Sequence, residues 1–112
     1  MLRPSELAGG RRYAPVFAAL GDPTRLALLA RLSNGEPCSI ARLTASTKLT
    51  RQAVTKHLKV LLDARLVHAA RAGRESRFAL NPEPLEDARR YLDLVSKQWD
   101  EALSRLRAFV ER

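Results

Sequence analysis

"LTRQAVTKHLKVLLDARLV", residues 49–67, reads as one helix running into a strand. Ala53, Val54, Leu58, Leu61 and Leu62 fall on one side of that helix, and Arg51, Gln52, Thr55, Lys56 and Lys59 fall on the other. Spacings of three and four residues put such positions on a common face. Thr50 precedes the first helical residue, where its hydroxyl can accept from a free backbone N–H. The apolar face needs a domain to pack on. The polar face is either plain solvated surface or a surface with a use.

The flanking segments narrow the choice. Upstream, "GDPTRLALLARLSNG" (residues 21–35) carries an N-cap candidate in Asp22, Pro23 at the first helical position, and a stop at Asn34–Gly35. Leu26, Leu29, Ala30 and Leu32 repeat at helical spacing inside it. "SIARLTAS" (39–46) predicts a short helix after Ser39 with Ile40 and Leu43 inward. Only Thr47–Leu49 separate it from the next helix, which is a helix-turn-helix arrangement. An earlier helix covers Tyr13 to Leu20. Downstream, "LVHAARAGRESRFAL" (66–80) alternates on both sides of Gly73, with Ser76, Phe78 and Leu80 on one face, and predicts a β-hairpin. Three helices and a hairpin make a winged helix. Asn81–Pro82 and Pro84 end the strand, and a long helix follows from about Glu83 to Val110.

The fold class is therefore mainly α with a small β-hairpin wing: a winged helix-turn-helix with a long C-terminal dimerisation helix. Residues 1–12, with Pro4, Gly9 and Gly10, read as a flexible N-terminal arm, loose or weakly helical. Residues 13–82 read as the DNA-binding domain and 83–112 as the dimerisation helix, the whole forming one compact domain.

The chain has 112 residues, enough to bury roughly two thirds of its extended surface. A hydrophobic content of 46% argues against disorder. The net charge is +8 and the pI about 10.8, which favours an anionic partner. Residues 1–82 hold 14 Lys/Arg against 5 Asp/Glu, a net +9, while residues 83–112 hold 6 against 7, a net −1. The anion-seeking surface therefore lies in the first three quarters. No apolar run reaches the ~20 residues that span a bilayer, so a membrane partner is not expected. "YAPVFAAL" is cut short by "GDPTR" and is not a secretory signal. A single cysteine, Cys38, forms no internal disulfide, and a cytoplasmic location is expected.

In a helix-turn-helix the second helix enters the major groove by its N-terminal part. Arg can pair with guanine and Gln with adenine through two hydrogen bonds each. Arg51, Gln52, Thr55 and Lys56 stand in the first two turns, where readers are wanted. Thr50 and the helix N-terminus suit a phosphate, and Lys59 suits the backbone one turn on. Arg71, Arg74 and Arg77 load the hairpin, and guanidinium matches phosphate geometry. Ser39, Lys48 and Arg65 are read as further phosphate contacts. Residues 48–77 hold 8 basic and 2 acidic residues, so +6 of the surplus lies on elements that would face DNA.

"LGDPTRLALLARL", "TRQAVTKHLKVLLDARLV" and "RAGRESRFAL" together resemble the ArsR/SmtB family of winged-helix transcriptional repressors. "DPTRL", "AVTKHLKVL" and the "GR" wing tip carry the likeness, which covers about residues 13–82. The resemblance implies a homodimer on an inverted-repeat operator, acting as a repressor, with recognition through Gln52, Thr55, Lys56 and neighbours and with His57 nearby. Two departures stand out. Arg65 occupies the place between helix and strand where the family often has Gly, so it takes the turn with a Cβ penalty. The metal-sensing patterns of the family are missing: its CxC pair reads Cys38-Ser39-Ile40 here, and residues 83–112 contain no His. No metal and no cofactor are expected, Cys38 reads as a core residue, and an unknown small-molecule or protein inducer stays open.

Along the last helix, Leu85, Ala88, Leu92, Val95, Trp99, Ala102, Leu106 and Phe109 are spaced 3, 4, 3, 4, 3, 4, 3. That is a heptad seam. The helix either covers its own domain or pairs with a twin. Pairing is the expectation, with Tyr13, Phe17, Leu85, Leu92, Val95, Trp99, Leu106 and Phe109 in a homodimer interface. No nucleophile with a base, no paired carboxylates and no phosphate loop point to an enzyme. The expected partner is double-stranded DNA, bound by sequence. The alternatives are a nucleoid-type protein that coats DNA without preference, and a winged-helix module for binding another protein.

Overall fold

The computed structural model describes the backbone of residues 4–111 and the side chains of residues 10–111. Helix α1 spans Pro4–Leu20, α2 Pro23–Leu32, α3 Ile40–Ala45, α4 Arg51–Asp63 and α5 Glu83–Val110. Strands β1 (Cys38–Ser39), β2 (Val67–Ala72) and β3 (Glu75–Leu80) complete the chain.

The turn chemistry read from the sequence is present. Asp22 is extended (φ −140°, ψ 129°), and its carboxylate accepts from the Arg25 backbone N–H at 2.9 Å. Ser39 Oγ accepts from Arg42 N at 3.2 Å, and Thr50 Oγ1 accepts from Ala53 N at 3.1 Å. Each cap satisfies a donor that the first helical turn leaves free. At the end of α4, Arg65 N donates to Leu62 O and Leu66 N to Leu61 O, both at 2.9 Å. This paired closure needs a left-handed residue, usually Gly. Arg65 supplies it at φ 60°, the one non-glycine with positive φ among the described residues. Asn81 clamps the corner by donating from its side chain to Arg65 O and from its backbone to Leu66 O, again at 2.9 Å.

Four expectations need correction. The loose or weakly helical arm expected over residues 1–12 is a regular part of α1 from Pro4, and residues 1–3 lie outside the described residues. Proline suits a helix start. Gly10 lies so close to α5 that a Cβ there would sit 2.8 Å from the Tyr91 hydroxyl oxygen, so the lack of a side chain brings the helices together. Second, the hairpin is part of a three-stranded antiparallel sheet, in order β1-β3-β2. Cys38 pairs with Phe78 and Ser39 with Arg77. A two-residue strand has no periodicity to read. Third, α2 buries Leu28, Leu29 and Leu32, while Leu26 is 49% exposed and Ala30 is exposed too. At 100° per residue, positions 26 and 30 fall outside the 28–29–32 stripe. Fourth, the seam of α5 divides, as the burial shows.

One core collects the elements. Val16, Ala19, Leu28, Leu32, Leu43, Val54, Leu58, Leu61, Leu66, Val67, Phe78 and Ala88 form it, with Cys38 buried at its edge. Tyr13 and Phe17 pack beside it against Tyr91, with ring centroids at 5.3 and 6.2 Å. Leu85 and Ala88 anchor the start of α5, and Val95 is 6% exposed. Beyond that point, among the described residues, the large apolar side chains of the helix are exposed: Trp99 is 64% exposed, Leu103 62% and Phe109 68%. Twenty-eight residues at 1.5 Å each make a rod of about 42 Å, and the molecule's longest extent is 66 Å. No helix among the described residues is long and apolar enough to cross a membrane.

Candidate nucleic-acid interface

Burial of Val54, Leu58 and Leu61 fixes the rotation of α4 and turns its other side outward. Arg51, Gln52, Thr55, Lys56 and Lys59 are all exposed on that side. Thr50 holds the N-terminus with its cap, and Lys48 is exposed in the turn before it. Thr55 Oγ1 donates to Arg51 O at 2.8 Å, which leaves the hydroxyl's lone pairs free to accept.

The wing stands beside this helix. Ala72 pairs with Glu75, so Gly73 and Arg74 form a two-residue turn, with Gly73 at φ 66°. Positive φ at the first turn residue is what tight hairpins require. Arg74 is thus at the tip. Arg51, Arg74, Ser39, Ile40, Ala41, Glu75 and Ser76 line an open cleft of about 210 Å³ between the start of α4 and the wing. Arg51 and Arg74 thus border one cleft from different elements.

The other wing arginines separate. Arg71 pairs with Ser76 and so shares the face of Phe78, whereas Arg77 pairs with Ala70 on the opposite face. Arg77 Nε also lies 3.5 Å from Glu75 Oε2, which neutralises part of its charge. Ser39 is only 8% exposed, its hydroxyl is engaged as the α3 cap, and it reaches the cleft as a wall. Arg65 sits at the far end of α4 and lines a different cavity, of about 360 Å³, with Arg12, Asp63, Asn81, Glu83 and Asp87. The structure therefore does not bring Arg65 to the Arg51–Arg74 surface.

His57 turns the other way from the exposed row. Its Nδ1 lies 3.3 Å from Arg25 Nη1 and 3.8 Å from Asp22 Oδ2. Arg25 also donates from Nε to Ala19 O at 2.7 Å and from Nη2 to Ala18 O at 3.2 Å. The Arg25 backbone N–H holds the Asp22 carboxyl below its ordinary range; partial burial opposes this, and the charge of Arg25 reinforces it. Sequence reading took "GDPTR" as a helix start and missed this group. An acid and an arginine flanking one cap were the visible signal, but the histidine lies 32 residues from the arginine. Among the described residues no cluster of three or more His, Cys, Asp or Glu could hold a metal.

A helix-turn-helix with an exposed cationic second helix and a wing beside it defines a class: the winged-helix DNA-binding regulators. Comparisons with known proteins agree. A family model described as a helix-turn-helix domain matches residues 20–68. The chain is 40% identical over 88 residues to an HTH-type transcriptional regulator of Mycobacterium tuberculosis, covering 79% of this chain and 78% of that one. An ArsR-like transcriptional regulator from Rhodococcus superposes with a TM-score of 0.82 at 32% identity, covering 94% and 95% of the two chains. The homodimeric winged helix-turn-helix DNA-binding domain of a possible ArsR-family regulator from Mycobacterium bovis superposes at 0.65 with 25% identity, covering 91% of each. The protein belongs to the ArsR/SmtB family of winged helix-turn-helix transcriptional regulators. It is a DNA-binding regulator of transcription and not an enzyme.

Proposed function

We propose that the protein is a homodimeric repressor that reads an inverted-repeat operator. The observation that carries this is the exposed row Arg51, Gln52, Thr55 and Lys56 on the capped first turns of α4, with Arg74 of the wing beside it. Each protomer lays α4 in a major groove, Gln52 and Arg51 read base edges, and Lys48, Lys59 and Arg74 take phosphates. The bare half of α5 supports the dimer: Leu92, Trp99, Leu103, Leu106 and Phe109 are exposed. Fully burying each large apolar side chain is worth roughly 1.5–3 kcal/mol. Tyr13 and Phe17 are half-buried against Tyr91 and offer their remaining surface to the same interface. Two-fold symmetry sets the two α4 helices about 34 Å apart, one turn of DNA. Repression is the mode that the family resemblance implies.

The test is titration of the protein with DNA across a salt series. If six to eight phosphates are neutralised, log K falls against log salt with a slope of about −5 to −7. A slope near zero contradicts the electrostatic part of the reading. Binding that excess random DNA abolishes contradicts the sequence-specific part and leaves a coating role.

A further inference from the structure

Arg25 of α2 reaches both α1 and α4 with its guanidinium, while its backbone is tied to the cap of its own helix. Its Nε–H and Nη2–H end on Ala19 O and Ala18 O. Both carbonyls belong to the last turn of α1, where helical N–H partners run out. Its backbone N–H is held by Asp22 at the start of α2. Its remaining arm meets His57 Nδ1 in the middle of α4.

The chemistry of this last contact is one-sided. A guanidinium has five donors and no acceptor, so Nδ1 must be the acceptor. A neutral imidazole then carries its proton on Nε2. His57 is also the one polar residue of α4 that is not exposed; the five polar or basic residues before and around it face solvent. It is followed by Leu58, which is buried in the core.

We infer that Arg25 is a positioning residue for DNA reading: by gripping the end of α1 and the side of His57, it sets the tilt and depth of α4 relative to α1. The inference rests on the proposed function. α1 in turn packs on α5 through Tyr13, Phe17 and Tyr91. The contacts therefore run from the α5 rod to α1, through Arg25 to His57, and so to the helix that faces the groove. Base reading and phosphate attraction respond differently to a small tilt of α4. A bidentate pair to a base edge has fixed geometry. A solvated lysine or arginine tracks a phosphate across such a shift, because its attraction is little directed. Loss of the Arg25 grip therefore costs sequence preference and leaves general DNA affinity in place. Lysine is no substitute, since one ammonium cannot present a fork to three acceptors on two helices.

The test uses the full chain with an operator selected from random DNA, and the variants R25M, R25K, H57A and R25M/H57A. Thermal melts identify those that fold, and if R25M does not, R25K and H57A carry the comparison. Operator affinity is expected to fall about tenfold in R25M and R25K, with random-DNA affinity at equal salt within about twofold. In the H57A background R25M adds little further loss. Nitrogen-15 spectra of the free protein are expected to show His57 with its proton on Nε2, and a mixture of tautomers in R25M. Operator and random-DNA affinities falling together, strictly additive losses, or an unchanged His57 tautomer in R25M each overturn the inference. Wild-type protein with no operator preference overturns the proposed function first; wild-type preference that R25M leaves intact overturns this inference alone.

Discussion

Helices α4 and α5 share a plan and meet different fates. Each carries one apolar face and one charged face. In α4 the apolar face is fully covered: Val54 and Leu61 have no exposure and Leu58 has 1%. What remains outside is polar and cationic, suited to an anionic polymer. In α5 the apolar face is covered at Leu85, Ala88 and Val95, Leu92 is already half exposed, and from Trp99 on the large apolar side chains stand in solvent. A surface helix that has finished packing advertises its polar side; one that has not advertises its apolar side. The first surface belongs to a part of the chain with net charge +9, and the second to a part with net charge −1. One molecule thus presents two unlike surfaces, and the proposed function assigns DNA to one and a second copy of the chain to the other.

Substitutions can break or sharpen this contrast. The largest effect is expected from Leu58→Ala, which opens a cavity in the finished helix. It should lower the stability of the fold by about 2–5 kcal/mol in denaturant melts, while the folded fraction still self-associates. Trp99→Asp addresses the unfinished helix. Sedimentation should show monomers that remain folded, with operator affinity reduced about 100-fold, because two linked half-sites become one. A folded dimer with unchanged affinity would remove Trp99 from the interface. Gln52→Ala alters only the outer face of α4. It should cost about 1–3 kcal/mol of discrimination at one base pair per half-site, measured by competition among point-altered operators, with no change in melting. The smallest effect is at the joint where α4 ends. Arg65→Gly should raise stability by about 1 kcal/mol, because glycine adopts the left-handed conformation without the Cβ penalty. DNA affinity should stay level, since Arg65 lies away from the Arg51–Arg74 cleft.

Local chemistry was legible in the sequence, and long-range partners were not. Asp22, Thr50 and Gly73 act within three residues of themselves, and each takes the local cap or turn place that its type predicted. The strain at Arg65 was visible for the same reason. The bounds of α5 could be read because prolines fence its start and a 3-4 seam runs its length. By contrast, β1 exists only because β3, about 40 residues later, offers it an edge. The helix from Pro4 runs through a glycine pair that lowers helix propensity, and packing on Tyr91 overrides that cost. The family resemblance put His57 near the DNA-reading residues, and the spacing left it off the outer row. Its partners there are Arg25 and Asp22, whose distance along the chain hides them. The arginines of the wing were read as one cluster; strand pairing sends Arg71 and Arg77 to opposite faces and leaves Arg74 at the tip.

Selection from a random DNA library by the full-length protein, at roughly 150 mM salt and with excess competitor, tests the central claim most directly. The account predicts enrichment of a two-fold symmetric sequence whose half-site centres lie about 10–10.5 base pairs apart, and loss of that symmetry with Trp99→Asp. A library that stays unenriched, or that yields a single half-site without symmetry from the wild-type protein, would contradict it.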